Sequence, residues 1–196
     1  MITINEITIV VDGREIIYDY SEQIPAGSIT AIVGPNGSGK STLLAAIAGD
    51  IAPTKGTITI DGLHPILTAP AQLAQIRAVA IQNQSYTLGY TVQQIIEMAG
   101  PAEEVMRSLE LTPLANRMVT TLSGGEAQRV SIAAAIAQKT PVLLLDEPLA
   151  AQDVSSRKRI IEVLKKLAED GVSVVVVAHS SESELTWADK VIKQLL

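Results

Sequence analysis

The chain has 196 residues, 47% of them hydrophobic, a formal net charge of −6 and no cysteine. That length and apolar content suit one well-packed domain and are too small for two ordinary ones. The acidic balance, with no Lys/Arg run, argues against a broad nucleic-acid surface; the missing thiols exclude disulfides, zinc fingers and cysteine nucleophiles and fit a reducing compartment.

Met1 passes at once into strand-like sequence, which predicts no secretory leader. Ile2, Ile4, Ile7, Ile9 and Val11 nearly alternate and lead to a turn at Asp12-Gly13, and Ile16 and Ile17 carry the apolar pattern on to Pro25-Ala26-Gly27. Ile29, Ala31, Ile32 and Val33 then read as a buried strand. The next stretch, Gly34-Pro35-Asn36-Gly37-Ser38-Gly39-Lys40-Ser41-Thr42, fits G-x-x-x-x-G-K-[ST]. After it Leu43, Leu44, Ile47 and Ala48 recur at helical spacing up to Gly49. Strand, glycine loop and helix in this order form a phosphate cradle. Gly37 and Gly39 can turn successive N–H groups inward, and the helix N-terminus adds about half a positive charge. Lys40 is placed to reach the β- and γ-phosphates, and the Ser41 hydroxyl to ligate Mg²⁺.

Farther on, Pro53-Thr54-Lys55-Gly56 punctuates and Thr57-Ile58-Thr59-Ile60 alternates into Asp61-Gly62, which predicts a hairpin. From about 70 to 122 strand signals fade apart from Val79-Ala80-Ile81. Two helical faces, Val92, Ile95, Ile96 and Ala99, then Val105, Met106 and Leu109, are separated by Gly100-Pro101, and Thr112-Pro113 follows. This pattern predicts a mostly helical subdomain inserted into the α/β core of a single domain spanning 1–196. The α/β rhythm resumes with a helix over 123–138 and a strand over 142–145. A long amphipathic helix buries Ile160, Val163, Leu164, Leu167 and Ala168 and ends at Gly171. A buried parallel strand over 172–177, a short helix near 183–187 and a last strand at 191–193 complete the chain. The longest apolar run, 172–178, is far too short to cross a bilayer, so any membrane role must come through a partner.

Two further stretches carry chemistry. The strand over 142–145 delivers Asp146 and Glu147 at its C-terminal end, the edge of a parallel sheet where ligands sit. One carboxylate can hold Mg²⁺, and the next can align or deprotonate the water that attacks a γ-phosphate. Standing alone, the pair would read as a solvated strand end. Ser123 and Glu126 form a capping box, but Gly124 and Gly125 between them are costly unless something approaches the backbone closely, and an exposed helix N-terminus is an anion site.

Leu122-Ser123-Gly124-Gly125-Glu126-Ala127-Gln128-Arg129 resembles the signature motif of the ATP-binding cassette (ABC) ATPases, and it lies between the phosphate loop and Asp146-Glu147, as in that family. The likeness covers essentially the whole chain. It implies an α/β fold: a P-loop NTPase core with a mostly parallel sheet, a small N-terminal antiparallel β subdomain and an inserted helical subdomain. By the same resemblance Gln82 matches the Q-loop glutamine that senses Mg²⁺, the γ-phosphate and the transporter partner; Asp153 matches the D-loop aspartate and His179 the switch histidine. ATP is the implied substrate and Mg²⁺ its companion, held by Ser41, Gln82 and Asp146. The implied unit is a homodimer, or a pair with a related ATPase subunit, joined head to tail. Each ATP lies between residues 34–42 of one copy and residues 123–126 of the other, with Lys40, Gln82, Glu147 and His179 acting on it.

Two positions depart from the family pattern. Val11 stands where an aromatic usually stacks on adenine, with Tyr18 and Tyr20 nearby but out of register, and Gln152 stands where leucine is common in the D-loop. The implied function is the ATPase subunit of an ABC transporter. It would be cytoplasmic and peripheral on the inner face of the membrane through a separate permease docked near residues 83–92. Residues 91–96 favour import, and a soluble iron–sulfur-assembly ATPase is the alternative.

Overall fold

The structure is a computed structural model that describes residues 1–81, 86, 89–179 and 184–193. It opens on a three-stranded antiparallel sheet. Strand β1 (Ile2–Val11) pairs antiparallel with β2 (Arg14–Ile24) on one side and with β4 (Lys55–Ile60) on the other. Ile2, Ile4, Ile7 and Ile9 are all buried although the step from 4 to 7 breaks a period of two. A register shift between Ile4 and Ile7 absorbs the extra residue and returns Ile7 to the core face. The hairpin predicted after Ile60 does not form. Asp61 and Gly62 do turn with positive φ, yet only the single bridge Ile60–Leu63 follows, because Pro65 has no N–H to continue a ladder; β4 takes β1 as its partner instead.

The second sheet is parallel, in the order β5 (Arg77–Ala80), β6 (Val142–Asp146), β7 (Ser173–Ala178), β3 (Ile29–Val33), β8 (Lys190–Lys193). Both faces are covered, so the central strands are apolar at nearly every position. Alternate residues serve two cores. Ile29, Ala31, Leu143, Leu145, Val174 and Val176 face the side of α5 (Gly124–Ala137) and α6 (Val154–Glu169). Ile32, Leu144, Val175 and Val177 face α1 (Lys40–Ala48) and the antiparallel sheet. Between β5 and α5 run α3 (Val92–Ala99) and α4 (Glu103–Ser108), which bury Val92, Ile96, Val105 and Met106 against α5. A further helix, α2 (Pro70–Ile76), leads directly into β5. Among the described residues, no helix is long and apolar enough to cross a membrane. Of the short helix expected near 183–187, residue 183 lies outside the described residues.

Candidate functional site

Three neighbouring strands, β6, β7 and β3, end side by side: Asp146 pairs with Val177, and Val33 with Ala178. The loops that leave these ends carry residues 34–42, Asp146 with Glu147, and His179. The sheet therefore gathers, at one carboxyl edge, groups far apart in sequence.

The loop after β3 has its shape from its glycines. Gly37 and Gly39 have φ of +79° and +88°, in the region that side chains disfavour. A Cβ on Gly39 would also come within 3.1 Å of Ile16 and 3.2 Å of its carbonyl, so β2 closes over the base of the loop. Gly39 caps α1 without a side chain, leaving the first amides of α1 unclaimed by any cap. Pro35, Asn36 and Gly37 are exposed, whereas Ser38 is buried and its Oγ has no hydrogen-bond partner. That orphaned hydroxyl, inside a loop of helix-end amides, fits an anion cradle. Lys40 is only 5% exposed, and its Nζ donates to the carbonyls of Gly34 and Pro35, both at 2.9 Å. The ammonium is thus held by the loop itself. Thr42 is half-buried in the first turn of α1.

Ser41 is exposed, and its Oγ donates to Asp146 Oδ1 at 3.4 Å. Burial pushes the Asp146 carboxyl above its ordinary range. The bond from Ser41 opposes this, Glu147 adds to it, and His179 and Lys40 oppose it. Glu147 has φ +50°, a left-handed conformation unusual for a non-glycine residue; its N–H donates to Val177 O at 3.0 Å and its carboxylate meets His179 Nε2 at 2.5 Å. Two adjacent carboxylates are therefore differentiated by their partners, Asp146 toward the phosphate loop and Glu147 toward His179.

Ser123 caps α5 by accepting from Glu126 N, while the Glu126 carboxylate accepts from Ser123 N at 2.7 Å and pairs with Arg117. The Ser123 backbone amide, helped by Arg117, holds the Glu126 carboxyl below its ordinary range. Ser123 and Gly124 are exposed, and this turn finds its partners in Arg117 and Gln152 rather than in residues 34–42 of the same chain. Asp153 caps α6, accepting from Ser156 N and Ser155 Oγ, both at 2.7 Å. Val11 is exposed at the end of β1, opposite Arg14. Tyr18 is exposed too. Tyr20 packs against the core below β1, and burial lifts its phenol far above the usual range. Gln82 lies outside the described residues.

Sequence reasoning missed the polar cluster behind Glu147. Gln128 donates to the Glu147 carbonyl at 2.5 Å, and Gln152, buried, bonds Gly125 O, Gln128 and Arg129. The one available signal was Gln152 itself, a polar residue at a position where leucine is common in the resembling family.

The family profile described as "ABC transporter" matches residues 17–150. Among curated relatives, the hemin import ATP-binding protein HmuV of Nocardia farcinica is 39% identical, the match covering 91% of this chain and 67% of that protein. The cobalamin import ATP-binding protein BtuD of Halobacterium salinarum is 37% identical over 92% of this chain and 49% of its own length. The chain thus spans about two thirds of the first relative and about half of the second. Among solved structures, a dimeric bacterial ABC transporter cassette superposes with a TM-score of 0.85 at 29% identity, covering 99% of this chain and 94% of that one. With the phosphate loop, the paired carboxylates and the capped helix α5 in place, the chain belongs to the ABC transporter ATP-binding family and is an ATP-hydrolysing cassette of that kind.

Proposed function

We propose that this ATPase powers an importer for a metal chelate of the hemin or cobalamin class. The named relatives are import subunits for those two ligands, which supports uptake and lends no support to the iron–sulfur-assembly alternative. The observation that carries the catalytic reading is the meeting of Lys40, Ser41, Asp146, Glu147 and His179 at one sheet edge.

In this reading ATP binds over residues 34–42. Gly37 and Gly39 shape the amide cradle, and Lys40 leaves the carbonyls of Gly34 and Pro35 for the β- and γ-phosphates. Val11 lies on the adenine side and supplies apolar contact without stacking. Ser41 and Asp146 offer hard oxygen donors suited to Mg²⁺. Mg²⁺ keeps several waters and takes phosphate oxygens, so few protein oxygens suffice beside them. When bound, that ion offsets charge on the phosphates; Gln82 is the third ligand the resemblance implies. Glu147 orients and polarises the attacking water, and His179, held against it, fixes the carboxylate and faces the γ-phosphate.

The γ-phosphate shell is completed by a second copy. Residues 123–126 find their partners in Arg117 and Gln152, and Ser123 and Gly124 are exposed, which supports a head-to-tail pair with two ATP molecules at the interface. Asp153 borders that interface at the start of α6. A permease would dock near residues 83–92, of which 83–85, 87 and 88 lie outside the described residues, on the membrane's inner face. The exposed side chains of Tyr90, just before α3, and Met98, on α3, support this surface, which lies in the segment read as an inserted helical subdomain, about 70–122.

The test is the solution mass of Glu147→Gln by light scattering, with and without ATP. Monomer alone and dimer with ATP is the expected result, because closure precedes hydrolysis and hydrolysis is blocked. A variant that binds ATP yet stays monomeric, even with the permease present, would overturn the composite site.

A further inference from the structure

The amide of Gln152 has three partners and no freedom to flip. Its side chain is 6% exposed. Its Nε2 donates to Gly125 O at 3.0 Å and to Gln128 Oε1 at 3.3 Å, and its Oε1 accepts from Arg129 Nη1 at 3.0 Å. A peptide carbonyl only accepts and a guanidinium only donates, so both ends of the amide are assigned by their neighbours. The same logic orients Gln128: its Nε2 faces the Glu147 carbonyl, which leaves Oε1 for Gln152. Arg129 Nη1 also reaches Ser156 Oγ at 3.3 Å in the first turn of α6. A continuous chain of hydrogen bonds thus runs from the backbone of Gly125, in the first turn of α5, through Gln152 and Gln128 to the backbone of Glu147.

Glu147 needs such support. Its φ of +50° is a strained value for a side-chain-bearing residue and persists only where the surroundings hold it. Gly125 fits the same contact from the other side, since a Cβ there would meet Ala151 O at 2.8 Å. An apolar residue at 152 could fill the space but would leave Gln128 Oε1 without this donor and remove one bond each from Gly125 O and Arg129 Nη1. Burying an amide here is favourable only because all three bonds are made.

We propose that Gln152 is a positioning residue that fixes the Gln128 side chain to the N-terminal turn of α5, and through Gln128 the Glu147 backbone. Residues 123–126, which face the other copy's nucleotide, and the water-orienting carboxylate of the chain's own site then move as one unit. The link is made of side-chain amides within one chain, and its action rests on the reading of Glu147 given above.

The experiment measures kcat, KM for ATP and Tm of the full chain for Gln152→Leu, Gln152→Glu, Gln128→Leu and the double variant Gln128→Leu/Gln152→Leu. Gln152→Leu is expected to lower kcat about tenfold, the scale of a small misplacement at a reacting centre, with KM changed by less than about twofold. Gln152→Glu keeps an acceptor for Arg129 and has no N–H to donate, so it loses kcat equally even if the leucine variant folds poorly. The double variant is expected to be no slower than the slower single one, because both cut the same chain. Unchanged kcat in Gln152→Glu, losses that multiply in the double variant, or losses that scale only with the unfolded fraction would each overturn the proposal. Glu147→Gln serves as the control: unchanged phosphate release there would defeat the reading of Glu147 itself, separately from the role of Gln152.

Discussion

Asp146 illustrates how this site trades stability for chemistry at the scale of one residue. Its carboxyl is pushed up chiefly by burial, and Glu147 beside it adds to the effect. Because its folded pKa lies above its unfolded value, the folded chain binds the extra proton more readily. Its contribution is therefore unfavourable once the pH exceeds both values and vanishes as the pH falls below the unfolded one. Asp146→Asn is expected to raise Tm at a pH of about 7, with the gain shrinking toward a pH of about 4, while phosphate release collapses. A thermal melt series across pH checks it; a lower Tm at neutral pH would contradict the burial cost. Glu126 behaves oppositely. Its carboxyl is held down by the Ser123 amide, so its stabilisation is present above the ordinary carboxylate range and is lost as the pH falls through its lowered pKa.

At the scale of elements, α5 is the member on which most of the helical side depends, with α3, α4 and the strands β5 and β6 packed against it. Its C-terminal end approaches the residue that ends α3 so closely that Gly100 cannot carry a side chain: a Cβ would overlap the Ala137 carbonyl. Both sides of that contact are backbone, so relief requires α3 to move away from α5. Gly100→Ala is expected to cost about 1–3 kcal/mol in urea unfolding, the usual range for overpacking. An unchanged unfolding midpoint would show that the two helices separate freely. The capping box that opens α5 was legible from Ser123 and Glu126 alone, since it acts over three residues. The hairpin signal at Asp61-Gly62 misled for the converse reason, because the partner of β4 is β1, some fifty residues earlier in the chain.

For the whole molecule, the proposed head-to-tail pair makes the phosphate loop and the capped helix α5 of one chain serve different nucleotides. Ser123→Arg places a bulky cation on the exposed turn and leaves residues 34–42 untouched. ATP binding by the single chain, followed by fluorescence titration, is expected to stay within about threefold of the parent chain, since no phosphate-loop contact changes, while ATP-driven dimerisation and turnover are lost. Full turnover in this variant would remove α5 from the reaction. The loss of the cap will cost about 1 kcal/mol of stability, so the comparison is made well below the melting temperature.

The sequence by itself determined the parts whose physics is local: a glycine loop between an apolar strand and a helix, a Ser–Glu cap three residues apart, two carboxylates at the end of an apolar strand, and strands apolar throughout because both faces are covered. These depend on torsion preferences, short hydrogen bonds and periodicity, all readable within about ten residues. Tertiary structure alone decided which strand ends lie side by side, that Tyr20 packs against the core, and that Gln152 joins Gly125 and Gln128 of α5 behind Glu147. Each is a contact between segments whose separation along the chain carries no trace of their distance in space. A buried amide such as Gln152 is stable only when every partner arrives from elsewhere in the fold, so its meaning cannot be read before the fold is known.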